Sequence, residues 1–140
     1  MDFTQVVSPP GDSVSSLCFS PKANFLVATS WDNQVRCWEI TKNGMNVASV
    51  PNALISYDHP VLCSAWRDDG TTVFSGGCDK QVKMWPLLFG GQPMTVAMHD
   101  APVTEVAWIP EMSTGIPDSQ TQCTHNNFLI VAMGLLCLIH

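Results

Sequence analysis

The sequence predicts an all-β fold built from a repeated unit of four short strands. Two segments, "SWDNQVRCWEI" (Ser30–Ile40) and "GGCDKQVKMWPL" (Gly76–Leu87), carry one phrase: Asp, two residues, Val, a basic residue, one residue, Trp. The offset between them is a constant 47 residues at Asp32/Asp79, Val35/Val82, Trp38/Trp85, Val14/Val61 and Phe19/Trp66. A fixed offset without gaps marks an internal repeat rather than chance matches. A third copy begins, since "YDHPVLCSAW" (Tyr57–Trp66) answers to "HDAPVTEVAW" (His99–Trp108) at an offset of 42 residues. The apolar spacing is two, and Gly or Pro interrupts about every ten residues, which disfavours a helical solenoid.

The elements follow in order. Residues 1–11 form a leader in which "TQVVS" (Thr4–Ser8) is a short extended segment. Residues 12–58 form the first unit, with strands expected at Val14–Ser20, Asn24–Ser30 and Gln34–Ile40 and an outer strand near Ala53–Asp58. Residues 59–99 form the second. "VLCSAWR" (Val61–Arg67) is a strand, "DDG" (Asp68–Gly70) a turn and "TTVFSGG" (Thr71–Gly77) the next strand. "CDK" is a tight connection. "QVKMWPL" (Gln81–Leu87) alternates, with Pro86 at its end where a missing N–H is tolerable. "FGGQP" (Phe89–Pro93) turns the chain into "MTVAMH" (Met94–His99). Residues 100–112 start a third unit with an inner strand at Val103–Ile109, and 113–140 read as a divergent tail. Four short strands per 42 to 47 residues describe a β-propeller blade.

Within the tail, Ser113–Asn127 is polar and "NFLIVAMGLLCLI" (Asn127–Ile139) is strongly apolar, yet short of the ~20 residues of a membrane helix. One reading makes "NFLIVAMG" a second strand of blade three, in imitation of "NFLVATS" (Asn24–Ser30). The reading preferred here is unrelated sequence, because no turn Asp and no third-strand Trp follow. The expectation is therefore an irregular C-terminal tail.

Composition narrows the function. Lys plus Arg number 6 against 12 Asp plus Glu, a net charge of −6. An acidic chain whose six basic residues form no run does not suit autonomous binding to phosphate backbones. The cysteines (Cys18, Cys37, Cys63, Cys78, Cys123, Cys137) include no Cys-x-x-Cys, which argues against a zinc ribbon or redox motif. The chain opens with neither a basic start nor an apolar stretch of secretory length, and reads as reduced and nucleocytoplasmic. No phosphate loop is present, and His59, His99, His125 and His140 are too scattered for a metal site. His99 and Asp100 beside a Ser invite a catalytic reading, but a fold-stabilising His is preferred. No enzyme activity, cofactor or small-molecule substrate is expected.

The phrase Ser/Gly-x-Asp-x-x-Val-x-x-Trp after an apolar strand resembles the WD40 repeat family. Within it, "CFSPKANFLVATSWDNQVRCWEI" and "HDAPVTEVAWI" resemble the nuclear-pore mRNA export factors of the Rae/Gle type. The resemblance covers roughly Val6 to Pro110 and implies a partial WD40 β-propeller: about two and a third blades, truncated from a seven-bladed parent. It implies that the leader strand serves as the outer strand of the last blade, fastening the ring. It also implies an adaptor that docks a nucleoporin peptide motif, associates with messenger RNA cargo and supports export, residing in the nucleus, at the nuclear pore and in the cytoplasm. RNA contact by so acidic a chain is expected to be weak or indirect. The alternatives are a kinetochore spindle-checkpoint scaffold and a truncated product with no activity of its own.

The family's buried network joins a His, a Ser or Thr, the turn Asp and the third-strand Trp. Carried onto this chain it predicts Ser75, Asp79 and Trp85 in blade two, with Tyr57 in the His slot. Blade one offers Asp32 and Trp38, but Ala28 and Pro10 replace the Ser and the His; His99 is in register for blade three. Asp79, with Ser75 as partner, is therefore expected to matter more to stability than Asp32. The connections between strands two and three and those between units open on one face. This makes Trp31, Asn33, His59, Lys80 and Asp100 the candidate partner-binding residues. Trp31 either anchors a partner, as Trp does at energetic hot spots, or packs on the neighbouring blade.

Overall fold

In the computed structural model, described for residues 4–109, 128–132 and 135–139, the chain forms three antiparallel sheets. The first contains β1 (Val14–Phe19), β2 (Phe25–Ser30), β3 (Gln34–Asn43) and β4 (Asn46–Ser56) in that order. The second repeats it with β5 (Val61–Trp66), β6 (Val73–Gly77), β7 (Gln81–Trp85) and β8 (Met94–Met98). The third joins β9 (Val103–Trp108) to β10 (Phe128–Ala132) and β11 (Leu135–Ile139). This is a partial β-propeller in which each meander is one blade.

The repeat extends to irregularities. A bulge interrupts β1 between Val14 and Ser16, and an equivalent one interrupts β5 between Val61 and Cys63. Such a bulge sharpens the strand's twist where it turns towards the next blade.

Three expectations are corrected. The outer strand of blade one starts at Asn46, not near Ala53, because β3 and β4 form one long hairpin. Its loop is Gly44–Met45 with Gly44 at φ 65°, the positive first position of a two-residue hairpin turn. Residues 4–8 lie in no strand. The apolar run, expected to be unrelated tail, is extended backbone at Phe128–Ala132 and Leu135–Ile139. β10 pairs with β9 from Phe128↔Trp108 to Ala132↔Val103, with β11 beyond it. The intervening 110–127 lie outside the described residues.

Apolar seams between consecutive sheets form the core. Val27, Val35 and Cys37 of blade one meet Val61, Trp66, Val73, Trp85 and Leu87 of blade two. Cys63, Phe74 and Val82 of blade two meet Val103 and Val106, and Phe74 stacks on Trp108 at 5.5 Å. Gly76 allows the closer seam, since a Cβ there would lie 2.5 Å from Val103 Cγ1. A ladder of hydroxyls, unforeseen in the sequence, runs beside the first seam. Thr29 Oγ1 meets Ser15 Oγ at 2.7 Å and Ser16 Oγ at 2.5 Å, and Ser16 Oγ reaches Ser64 Oγ of blade two at 3.0 Å. Trp66 also crosses the seam, donating its indole N–H to Cys18 O at 3.0 Å. Buried polar groups are tolerable here because each has a partner.

Candidate functional site: the rim of inter-strand turns

The rim is built from one turn used twice. Asp32 Oδ1 accepts the Gln34 N–H at 3.0 Å, and Asp79 Oδ1 accepts the Gln81 N–H at 3.1 Å. A side chain bonding two residues ahead closes a turn without help from the backbone ladder. The residue between is left-handed in both copies: Asn33 at φ 70° and Lys80 at φ 64°. Asn tolerates that region; Lys pays steric strain.

The connection into the next blade then docks on each turn. Tyr57 N–H donates to Asn33 O at 2.8 Å, and His99 N–H to Lys80 O at 2.8 Å. On the other side Trp31 N–H donates to Ser13 O and Cys78 N–H to Pro60 O, each at 3.0 Å. Asn33 Nδ2 donates to Asp58 O at 3.4 Å. These bonds set Trp31 and Asn33 on the turn of blade one and Lys80 on that of blade two, each turn beside the connection that carries His59 or Asp100.

Trp31 is 49 % exposed, while Cys78 holds the equivalent place in blade two. His59, Lys80 and Asp100 are exposed and Asn33 is half-buried. Beneath the rim the cations are already engaged: Arg36 Nη1 lies 2.7 Å from Asp32 and Lys83 Nζ 3.0 Å from Asp79. The turn of blade one thus exposes an indole, while Arg36 and Lys83 are committed to the two turn carboxylates.

The expected four-group network is arranged differently. In blade two, register sets Ser75 opposite Lys83 and Val73 opposite Trp85. Lys83 thus occupies the place expected for Trp85, pairing with Asp79 and lying 4.0 Å over the Tyr57 ring. Tyr57 Oη meets Ser75 Oγ at 3.2 Å, and burial pushes the phenol pKa up. Trp85 packs in the first seam. In blade one, Trp38 donates to Val7 O at 2.6 Å, a leader contact that no motif signalled. Asp32 accepts from Gly11 N–H at 3.0 Å as well as from Arg36 and Gln34. Burial favours its neutral form, but these donors outweigh burial and hold the carboxyl below its ordinary value. Asp32, expected to be the poorer carboxylate in partners, is the richer one. His99 Nδ1 accepts the Ala101 N–H at 3.4 Å, a local turn contact.

Among the described residues no three His, Cys, Asp or Glu side chains gather as a metal site, and no helix is long and apolar enough to cross a membrane. Burial raises the thiol pKa values of Cys37 to about 11 and of Cys63 to about 12, the chemistry of packing residues rather than nucleophiles.

Comparison with known proteins agrees with this geometry. The WD domain, G-beta repeat model matches residues 2–39 and 52–86. Protein RAE1 of Arabidopsis thaliana is 73 % identical over 94 residues, covering 67 % of this chain and 27 % of the relative. Protein Rae1 of Drosophila melanogaster is 53 % identical over 106 residues, 74 % of this chain and 30 % of the relative. The mRNA export factor of Xenopus tropicalis is 47 % identical over 108 residues, 75 % of this chain and 28 % of the relative. The chain thus spans less than a third of the length of these relatives. With its two turn motifs, its stacked four-stranded sheets and these matches, the chain belongs to the WD40 repeat family, as a homologue of Rae1/mRNA export factor.

Proposed function

We propose that this chain is a non-enzymatic adaptor that docks a peptide motif of a nucleoporin on the turn rim and so supports export of poly(A) RNA. Its relatives named mRNA export factor support the export role. The observation that carries the docking surface is Trp31, half exposed on a turn whose counterpart in blade two is Cys78, so that the blade itself does not require an indole there. Trp31 is the anchor, and Asn33, His59, Lys80 and Asp100 flank it. An exposed indole with polar neighbours is the composition of an energetic hot spot.

Messenger RNA is reached through the partner rather than by direct contact, since 6 basic residues face 12 acidic ones. The working places are the nucleus, the nuclear pore and the cytoplasm. Isothermal titration of the chain with a nucleoporin peptide tests the proposal, with a checkpoint-kinase peptide as the competing arm. The nucleoporin peptide is expected to bind preferentially. Trp31→Ala is expected to weaken it about tenfold or more, the cost of a hot-spot residue, at unchanged denaturation midpoint. Unchanged affinity with a large loss of stability would make Trp31 a packing residue; preference for the kinase peptide would favour the checkpoint reading.

A further inference from the structure

The short connection Tyr57–Pro60 joins blade one to blade two and carries His59. Its backbone is bonded at both ends. Tyr57 N–H donates to Asn33 O at 2.8 Å, and Pro60 O accepts the Cys78 N–H at 3.0 Å. Asn33 Nδ2 also donates to Asp58 O at 3.4 Å. The connection is thus tied to the turn that bears Trp31 and Asn33 and to the turn of blade two.

The side chain of Tyr57 supplies the inward anchor. It is half-buried, with its hydroxyl 3.2 Å from Ser75 Oγ and its ring under Lys83 Nζ, 4.0 Å from the centroid. Lys83 Nζ also lies 3.0 Å from Asp79 Oδ2, in a pair whose side chains are only 21 % and 18 % exposed. A largely desolvated ammonium is drawn to a ring face, and the carboxylate offsets the cost of burying it. Tyr57, His59, Ser75, Asp79 and Lys83 border one cavity of about 10 Å³, room for a single water. His59 therefore adjoins the group that holds Tyr57.

The repeat shows that a blade does not need this cluster. Forty-seven residues earlier the positions of Tyr57, Ser75, Asp79 and Lys83 hold Pro10, Ala28, Asp32 and Arg36, so only the carboxylate is common. Arg36 bonds Asp32 and Gln34 there, and no ring stands at position 10.

We propose that Lys83 is a positioning residue of the docking surface: held by Asp79, its ammonium clamps the Tyr57 ring and so sets the connection that carries His59 against the turn that carries Trp31. This role rests on the docking reading above. Lysine suits it, because a compact ammonium on a flexible stem can donate to a carboxylate while still facing a ring.

Tyr57 is the only tyrosine of the chain, so ring labelling gives it an unshared NMR signal. Lys83→Met, Lys83→Arg and Tyr57→Leu, each in the full chain, are compared with wild type. Each is read by amide exchange, by titration with the nucleoporin peptide and, where the ring remains, by the Tyr57 signal. Lys83→Met is expected to shift the ring signal and to weaken peptide binding about fivefold. It is also expected to speed exchange of the residue-57 and Cys78 amides, which bond the connection, with β5–β7 still protected. Lys83→Arg keeps the charge and is expected to restore all three readouts. Tyr57→Leu leaves the Asp79–Lys83 pair in place and is expected to match Lys83→Met in exchange and affinity; it decides the matter if Lys83→Met fails to fold. Wild-type ring signal and wild-type exchange at the two amides in Lys83→Met overturn the inference, whether or not the peptide binds. It is overturned too if Lys83→Met and Tyr57→Leu bind as wild type does while Trp31→Ala does not, a result that leaves the docking reading intact. A wild-type chain that takes up no peptide overturns the docking reading itself, and the clamp is then decided by the ring signal and the exchange alone.

Discussion

The carboxylate of Asp32 lies 2.7 Å from the guanidinium of Arg36, and Asp79 and Lys83 repeat the pair at 3.0 Å in the next blade. The two copies differ in what else they hold. Asp32 also accepts the N–H groups of Gln34 and Gly11, and so ties the leader to the turn. Asp79 accepts the Gln81 N–H and the Lys83 ammonium. Asp32→Ala is therefore expected to destabilise by about 1–3 kcal/mol and Asp79→Ala by less, since each lost charge-assisted bond adds to the cost. Chemical denaturation of both variants checks the order; a lower midpoint for Asp79→Ala would reverse it.

The same carboxylate gives a pH dependence of known sign. Its pKa in the folded chain is lowered, so the unfolded state, with an ordinary value of about 3.9, takes up the proton first as pH falls. The stability it contributes is fully present above that ordinary value and is lost as pH drops through the folded one. The midpoint difference between wild type and Asp32→Asn is expected to be widest near neutrality and to shrink below about pH 4. A difference that grows on acidification would contradict this.

Two glycines separate packing from backbone strain. A Cβ on Gly77 would lie 2.4 Å from Pro60 O, a backbone atom that cannot step aside. Gly77→Ala is expected to cost about 1–3 kcal/mol and to loosen the connection carrying His59. Gly44, at φ 65° with nothing within 4 Å of a Cβ, pays only the left-handed penalty, so Gly44→Ala is expected to cost about 1–2 kcal/mol. Hydrogen exchange distinguishes them: Gly77→Ala deprotects β5 and β6, whereas Gly44→Ala affects only the tip of the β3–β4 hairpin.

The thiols are expected to react in order of accessibility. Cys37 and Cys63 are buried, with pKa values raised to about 11 and about 12, so at neutral pH they remain protonated and shielded. Cys78 is half-buried on the rim turn. Timed alkylation with mass spectrometry should modify Cys78 well before Cys37 and Cys63. Early labelling of Cys63 would mean that the seam between blades two and three opens readily.

The constant offset from Asp32 to Asp79 was enough to read the repeat and the strand order, because a blade's pattern is local. Apolar alternation sets the faces and Asp closes the turn within four residues. The partners of the buried indoles were not legible. Trp38 bonds to Val7 across 31 residues and Trp66 to Cys18 across 48, contacts with a backbone carbonyl that has no sequence signature. Lys83, not Trp85, lies beside Ser75 because strand register decides which side chains adjoin. The run from Phe128 to Ile139 marks the same boundary. Its likeness to Asn24–Ser30 offered a second strand of blade three beside the preferred reading of unrelated tail, and only pairing with β9 decided between the two. Local sequence determined what each blade is, while contacts between distant segments decided which groups are buried and which charges are paired.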